Sequence, residues 1–188
     1  MLTPISLLRR SFILGAVASL AIGAPALAQD TKGPILLTVT GEVENPNRGG
    51  YNPDIDKFFG YNEVEFSKAA EFDLAALEGL KMTAIKADFP KGGDVYTYEG
   101  PLLADVLAAA GATGGKITVQ ALDGYAVEAP LEEMVAQGAI VALKRNGQPF
   151  GIGGFGPTQI VFPRAERSDL KDMPDDRWVW SIFHINVR

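Results

Sequence analysis

The glycine-rich segment at residues 151–164, GIGGFGPTQIVFPR, is the first candidate binding site in this sequence. Gly151, Gly153 and Gly156 have the G-x-G-x-x-G spacing of a dinucleotide-binding turn, in which backbone amides at a helix start bind a pyrophosphate. Here Pro157 and a β-rich run follow the last glycine, whereas a dinucleotide site requires an amphipathic helix at that point. The segment is therefore either a loop for another cofactor or only a glycine-rich bend.

A second candidate is the aromatic segment WVWSIFHINV at residues 178–187, whose pattern predicts a long closing strand. Because side chains alternate along a strand, Trp178 and Trp180 are expected on one face with His184, and Val179 and Phe183 on the core face. The two tryptophans then form either a second packed layer or a flat ligand platform with two N–H donors. His184 is the single histidine of the chain, and such a residue is more often structural than catalytic.

The composition excludes several kinds of site. The chain has no cysteine and one histidine, which excludes a thiolate metal site, a cysteine nucleophile and a histidine-rich metal centre within one chain. Removal of Arg9 and Arg10 from the 17 basic residues leaves 15 against 23 acidic ones, a net charge of −8. An acidic surface of this kind repels phosphate backbones, so nucleic acid is not an expected partner.

Residues 1–28 have the pattern of a cleaved export signal. Arg9 and Arg10 precede an apolar run at residues 13–22, and Ala26-Leu27-Ala28 matches the small-x-small site before a signal-peptidase cut. The stretch RRSFIL is similar to the twin-arginine signal, which makes that route the first choice and the general route the alternative. We expect a periplasmic protein that begins near Gln29 and forms one domain over residues 29–188.

The remaining pattern predicts a mixed α+β domain of short strands and a few short helices. Residues 35–41 (ILLTVTG) are an apolar, β-branched opening strand, and residues 44–60 form a long loop rich in Asn, Pro and Gly. Val64 and Phe66 alternate with acids in a second short strand. The clearest helix is PLLADVLAAAG at residues 101–111, with a proline in its first turn and Gly111 as its stop.

Six motifs, taken in order, resemble the molybdopterin-binding domain of the sulfite oxidase family, over nearly all of residues 29–188. They are LTVTGEVENPN, YTYEGPLLADVLAAAG, VQALDGYAVEAPLEE, NGQPF, GPTQIVFPR and WVWSIFHINV. The resemblance implies the α+β sulfite oxidase fold, with mixed β-sheets and short helices in a single domain. It also implies that the glycine-rich segment is a pterin-type loop and not a nucleotide loop.

Two departures from that family concern its metal chemistry. Its catalytic members carry a cysteine before the helix whose thiolate binds molybdenum, but the matching segment here contains Asp88, Phe89 and Pro90. A carboxylate is a hard oxygen donor and a poor substitute in such a redox centre. The family loop also carries an arginine that reaches the cofactor, and Gln159 takes its place. Glutamine offers a donor and an acceptor, which suit the amide-like edge of a pterin ring.

The resemblance implies a set of pterin-binding residues. Asp123 of ALDGY can accept two adjacent N–H groups of a pterin, or it can simply form the Asp-Gly turn. Tyr125 either contacts the ligand or closes the core at a strand end, and Phe155 at the loop tip is expected to stack on the ligand. Arg164 faces either the pocket or solvent. With no catalytic residue and no metal ligand, the expected cofactor-binding set is Asp123, Tyr125, Phe155, Gln159, Arg164, Trp178 and Trp180.

Three functions follow from these observations. Small, exported, cysteine-free chains of this fold resemble the periplasmic pterin-binding regulators of the PruR type. Those bind a reduced, metal-free pterin and relay its presence to a membrane-bound enzyme of cyclic di-GMP signalling. The leading hypothesis is therefore a pterin-sensing module whose partner is such an enzyme or a sensor kinase. The alternatives are a molybdopterin-dependent oxidoreductase or accessory subunit with a non-cysteine metal ligand, and a scaffold protein with an empty pocket.

The export route can be tested by replacing both Arg9 and Arg10 with lysine. The twin-arginine route reads the arginine pair itself, so the double variant should lose periplasmic protein if that route is used. The general route needs only positive charge and should be unaffected. Immunoblots of periplasmic fractions measure the yield, and mass spectrometry of the mature N-terminus should place it at or near Gln29. An unchanged periplasmic yield would remove the twin-arginine route.

Overall fold

The computed structural model describes residues 31–188, so the expected signal at residues 1–28 lies outside the part that it describes. Within residues 31–188 the chain has twelve strands and four short α-helices. This mostly β arrangement with a few short helices, in one small domain, confirms the predicted α+β class. None of the helices in the described range is long and apolar enough to cross a membrane.

The elements follow one another along the chain as short, closely spaced units. The strands are β1 (Ile35–Gly41), β2 (Arg48–Gly49), β3 (Lys68–Asp73), β4 (Met82–Ala87), β5 (Tyr96–Pro101), β6 (Lys116–Ala121), β7 (Ala126–Pro130), β8 (Ile140–Ala142), β9 (Lys144–Arg145), β10 (Gln148–Pro149), β11 (Gln159–Val161) and β12 (Ile182–Val187). The helices are α1 (Lys57–Tyr61), α2 (Leu74–Gly79), α3 (Leu103–Ala110) and α4 (Leu131–Ala136), and Ser168–Leu170 forms a turn of 3-10 helix.

The main sheet has six strands in the order β2-β3-β1-β12-β6-β7. Strand β12 lies inside it, parallel to β1 and antiparallel to β6. Consecutive residues Leu37, Thr38, Val39 and Thr40 are all buried, so both faces of β1 are covered. A strand covered on both faces needs apolar or β-branched residues at nearly every position, which is why its polar side chains are the β-branched Thr38 and Thr40. The other strands form a four-stranded sheet, β10-β9-β5-β4, and the pair β11-β8.

Two helices are positioned by local signals that the sequence shows. Helix α3 buries Leu103, Val106 and Leu107 against the core and ends at Gly111, whose φ of 67° is left-handed and favours glycine. Helix α2 begins after Asp73, whose carboxylate accepts a hydrogen bond from the Ala76 amide at 2.7 Å. Helix α3 begins at Leu103. The sequence places Pro101 in its first turn, but Pro101 is the last residue of β5.

The closing strand is shorter than the sequence predicts. It begins at Ile182, because Ser181 has a φ of 54°, a left-handed conformation that an extended strand does not contain. The break interrupts the alternation of faces, and Trp178 and Val179 are consequently both buried. The expectation of one core face and one platform face along residues 178–187 is therefore wrong.

The region before β3 also differs from the prediction. The expected loop at residues 44–60 contains β2 and most of α1, and no strand forms at Val64 and Phe66. The Val64 amide instead donates to the Phe59 carbonyl at 2.9 Å and so continues the end of α1. Arg48 organises this segment, since it pairs with Asp56 and with Glu71 on β3. Ion pairs between distant residues of this kind leave no periodic pattern in a sequence.

His184 lies in the middle of the main sheet and is almost completely buried. Its Nε2 is 2.7 Å from Thr40 Oγ1, and its Nδ1 is 3.2 Å from Gln120 Oε1. The amide oxygen can only accept, so Nδ1 donates to it and Nε2 accepts from the threonine hydroxyl. Burial lowers the pKa of His184 to about 4. The side chain is thus a neutral crosslink between β1, β12 and β6, as expected of a structural histidine.

This burial predicts a pH dependence of stability. The unfolded chain protonates the imidazole below its ordinary pKa of 6.5, whereas the folded chain resists protonation down to about pH 4. The contribution of the neutral imidazole to the free energy of unfolding should therefore be complete above pH 6.5. It should fall by about 3 kcal/mol as the pH drops towards 4. Urea unfolding across this range measures the slope. His184→Gln cannot titrate, so it should show a flatter slope, and an equal slope in both proteins would contradict this assignment.

Candidate functional site

An open cleft of about 400 Å³ lies where the loop after β6 meets the segment before β12. Four of the seven residues predicted from the sequence line it, namely Asp123, Tyr125, Trp178 and Trp180. The other lining residues are Phe89, Lys91, Ala121, Asp175, Asp176 and Val179. The cleft therefore combines aromatic surface, which is common in small-molecule sites, with an unusually large share of charged groups.

Asp123 forms the predicted Asp-Gly turn and also faces the cleft. Its Oδ1 accepts a hydrogen bond from the Tyr125 amide at 3.0 Å, and Gly124 has a φ of 88° that favours glycine. The turn occupies only one carboxylate oxygen, and the exposed side chain leaves Oδ2 directed to solvent or ligand. The two readings of this residue are thus compatible, since the turn holds the carboxylate in place at the edge of the cleft.

The two tryptophans differ in role. Trp178 is 2% exposed and packs edge-on against Phe89, with ring centroids 5.9 Å apart, and its Nε1 donates to Met173 Sδ at 3.3 Å. It forms part of the packed core below the cleft. Trp180 is 45% exposed and offers an accessible indole in the cleft wall. Trp178 therefore belongs to a packed layer, and of the two tryptophans Trp180 is the one that is accessible to a ligand.

Tyr125 does not close the core. Its side chain is 48% exposed, and its hydroxyl donates to the Asp176 carbonyl at 3.2 Å across the cleft. That bond connects the turn after β6 to the acidic segment before β12. The ring is therefore available to a ligand in the cleft.

The glycine-rich segment is folded against the segment that precedes β12. The amides of Gly154 and Gly156 both donate to the Gly151 carbonyl, at 3.3 and 3.2 Å, and are not free to bind a phosphate. The Ser181 amide donates to the Phe155 carbonyl at 2.9 Å, and its hydroxyl donates to the Gly154 carbonyl at 3.1 Å. Strand β11 follows the loop, so the arrangement lacks the helix of a dinucleotide site.

Phe155 stands at the tip of this loop and is 41% exposed. Its ring makes an edge contact with Trp180 at 6.3 Å between centroids, and the Arg145 guanidinium carbon lies 5.2 Å from its centroid. Phe155 is thus next to the cleft, in contact with one of its walls, and extends the aromatic surface of Trp180 away from Asp123.

Gln159 and Arg164 do not line the cleft. Gln159 is 2% exposed, its Oε1 has no hydrogen-bond partner among the described residues, and its backbone pairs with Trp180. Arg164 is directed to Asp88, whose Oδ2 lies 2.6 Å from its Nη1, and to the Lys171 carbonyl at 2.7 Å. Gln159 therefore supports the backbone of Trp180, and Arg164 holds the segment that contains Phe89.

Sequence reasoning missed the charged side of the cleft. Lys91 Nζ lies 2.5 Å from Asp175 Oδ2, and this hydrogen bond raises the pKa of the lysine and lowers that of the aspartate. With Asp123 and Asp176, the cleft has three carboxylates and one lysine, which is already paired. The acidic run DMPDD at residues 172–176 was the available signal.

Two further cavities adjoin the glycine-rich segment through Ile152 and Pro157. They have volumes of about 370 and 300 Å³ and are lined mainly by apolar side chains, including Leu36, Phe58 and Phe183. The polar groups of the larger one include Arg48 and Glu71, which pair with each other. These cavities lack the combination of an exposed indole and available carboxylates that the cleft has.

Comparison with known proteins supports the fold and goes no further. No family model matches the sequence, and no curated protein is similar to it. Among 24 solved chains that match in structure is the sulfane dehydrogenase SoxCD from Paracoccus pantotrophus, with a TM-score of 0.56 and 17% sequence identity. The match covers 81% of this chain and 37% of that chain. The likeness supports a distant sulfite oxidase-like fold, in agreement with the order of motifs in the sequence.

Proposed function

We propose that this chain is an exported, periplasmic pterin-binding module without molybdenum chemistry. In this proposal it senses a reduced pterin and relays its presence to a membrane-bound signalling partner. One observation carries the proposal: Asp123 and Tyr125, from one turn, and Trp180, from a distant part of the chain, line a single cleft of about 400 Å³. That volume lies within the range of small-molecule pockets.

The chemistry of a pterin suits this cleft. A pterin is a flat heterocycle that presents a ring N–H and an amino group side by side, and a carboxylate can accept both. Asp123 supplies a carboxylate whose position is held by its turn. The exposed faces of Trp180 and Tyr125 supply apolar surface for the ring.

The molybdenum cofactor of the fold family does not fit the residues present. The sequence has no cysteine, and no group of His, Asp or Glu side chains within residues 31–188 is arranged to hold a metal ion. Asp88, in the segment where the family has its cysteine, is ion-paired to Arg164. The carboxylates of Asp123, Asp175 and Asp176 would also repel the phosphate of that cofactor. A metal-free pterin avoids both conflicts.

The signalling role rests on the export pattern and on the family resemblance. The expected periplasmic location would place the module beside the external domain of a membrane-bound cyclic di-GMP enzyme or sensor kinase. The net charge of −8 for residues 29–188 makes nucleic acid an unfavourable partner. Co-purification from native membranes, with and without added reduced pterin, would identify the partner.

Asp123→Asn tests the polar edge of the site. Asparagine still accepts the Tyr125 amide and tolerates the turn, so the fold should persist while the charge is lost. Binding of tetrahydrobiopterin, followed by calorimetry under anaerobic conditions, should weaken by about 1.5–3 kcal/mol, roughly 10- to 100-fold in Kd. Asp54→Asn, an exposed aspartate outside the cleft, is the matched control and should bind as the parent does.

Trp180→Ala should also weaken binding, because it removes the exposed indole, and Trp180→Phe should retain part of the affinity. Thermal melts of each variant separate lost binding from lost folding. The proposed site is wrong if folded Asp123→Asn and Trp180→Ala both bind a reduced pterin as tightly as the parent.

Metal analysis tests the absence of molybdenum chemistry. Protein purified from its own periplasm should contain no stoichiometric molybdenum and should neither oxidise sulfite nor reduce sulfoxides, because no thiolate is available. A content of about one molybdenum atom per chain would favour the oxidoreductase hypothesis with an oxygen ligand. In that case Asp88→Ala would be the first variant to examine for loss of the metal.

A further inference from the structure

Arg145 differs from every other arginine in the described part of the chain. Residues 31–188 contain six arginines, and five of them lie within 4.0 Å of a carboxylate. Those pairs are Arg48 with Asp56 and Glu71, Arg164 with Asp88, Arg167 with Asp169, Arg177 with Glu133, and Arg188 with Glu128. Arg145 has no ion pair among the described residues, although the chain is strongly acidic. Its charge is therefore available to an external anion.

The guanidinium of Arg145 is held in place by aromatic rings. Its central carbon lies 4.7 Å from the ring centroid of Tyr96 and 5.2 Å from that of Phe155. Stacking of this kind fixes the plane of the group and leaves its rim of N–H donors open to an anion, apart from the hydrogen bond that Arg145 shares with Tyr98. On the neighbouring strand, burial raises the pKa of Tyr98 despite the opposing hydrogen bond and charge of Arg145, so this phenol stays neutral and does not compensate the cation.

Arg145 is linked to the cleft by two ring contacts. Phe155, which it stacks on, makes an edge contact with Trp180 at 6.3 Å, and Trp180 lines the cleft. Asp123 also lines the cleft, on the other segment that forms it. The aromatic surface of Trp180 and Phe155 therefore runs from an acidic end at Asp123 to a cationic end at Arg145. The cationic end is formed by β9, which carries Arg145, and by the glycine-rich loop, which carries Phe155.

We propose that Arg145 recognises an anionic substituent, a carboxylate or a phosphate, on the ligand of the cleft. The inference rests on the proposed function, because it assumes that a pterin ring lies against Trp180. The donor edge of the ring points to Asp123, and the charged substituent extends past Phe155 to Arg145. The carboxylates of Asp123, Asp175 and Asp176 disfavour an anion at the first end, so this separation of charges also selects the orientation of the ligand.

The experiment compares two probes that differ only in the anion. Dihydroneopterin and dihydroneopterin monophosphate are titrated into the folded protein, and dihydrofolate serves as the carboxylate-bearing arm. The parent should bind the monophosphate about 10- to 100-fold more tightly than dihydroneopterin, as expected for a charge-assisted hydrogen bond. Arg145→Gln should abolish that preference while leaving the affinity for dihydroneopterin nearly unchanged. The anion is identified as phosphate or carboxylate by which probe, dihydroneopterin monophosphate or dihydrofolate, loses more affinity in Arg145→Gln.

Matched variants separate charge recognition from structure. Arg188→Gln removes an arginine that is paired to Glu128, away from the cleft, and should keep the full preference. Arg145→Lys keeps the charge without the planar donors and should retain part of it. In the parent itself the preference should shrink as salt is added, since an interaction with a partly exposed charge is screened. This last measurement shows that a cation recognises the anion even if Arg145→Gln does not fold, and the partial preference of Arg145→Lys then assigns that cation to Arg145.

The possible failures are distinguishable. If dihydroneopterin binds but neither anionic probe gains from its charge, or if the gain persists in Arg145→Gln, then the role of Arg145 is refuted and the pterin site stands. If none of the three pterins binds the folded parent, the proposed function fails, and the inference about Arg145 fails with it.

Discussion

Ser181 joins two of the segments that line the cleft to the glycine-rich loop beside it, and the site depends on its conformation. Its carbonyl accepts from the Leu122 amide beside the Asp-Gly turn at 2.8 Å, while its amide and hydroxyl donate to the carbonyls of Phe155 and Gly154. Its positive φ turns the chain just before β12. The turn ends the strand geometry, so Trp178 packs inward and Trp180 remains exposed beside it. The position of the indole relative to the carboxylate of Asp123 thus follows from hydrogen bonds at one residue.

The sequence predicts those parts of the fold that local patterns control. Strand β1 and helix α3 are found close to where periodicity and a stop glycine place them. The convergence of Asp123 with the two tryptophans also follows the order of the motifs. The length of the closing strand could not be predicted, because a left-handed serine has no signature in a period-two pattern. The same limit applies to Arg164, which is directed to Asp88, a contact that only the tertiary fold creates.

The distant likeness to a sulfane dehydrogenase and the residues of the cleft carry different information. A shared fold at 17% identity preserves the arrangement of strands and loops, whereas the chemistry of a site depends on individual side chains. In this chain the side chains at the cleft are three carboxylates, a paired lysine and aromatic rings. Such a set is suited to recognition by hydrogen bonding and stacking. The likeness therefore describes the architecture, and the binding chemistry of the cleft follows from its own side chains.

The position of β12 inside the main sheet has a consequence for how this chain acquires its structure. Without residues 182–187, the sheet would be two separate pieces, β2-β3-β1 and β6-β7, each with an unpaired edge strand. Strand β12 joins these pieces through contacts between residues as far apart in sequence as Thr40 and His184, which lie 144 positions from each other. A domain dominated by such distant contacts folds slowly, because its chain must be closed over a long loop before the contacts form. Ribosomal synthesis of β1 to β11 therefore leaves the domain incomplete, and its main sheet closes only when β12 has emerged.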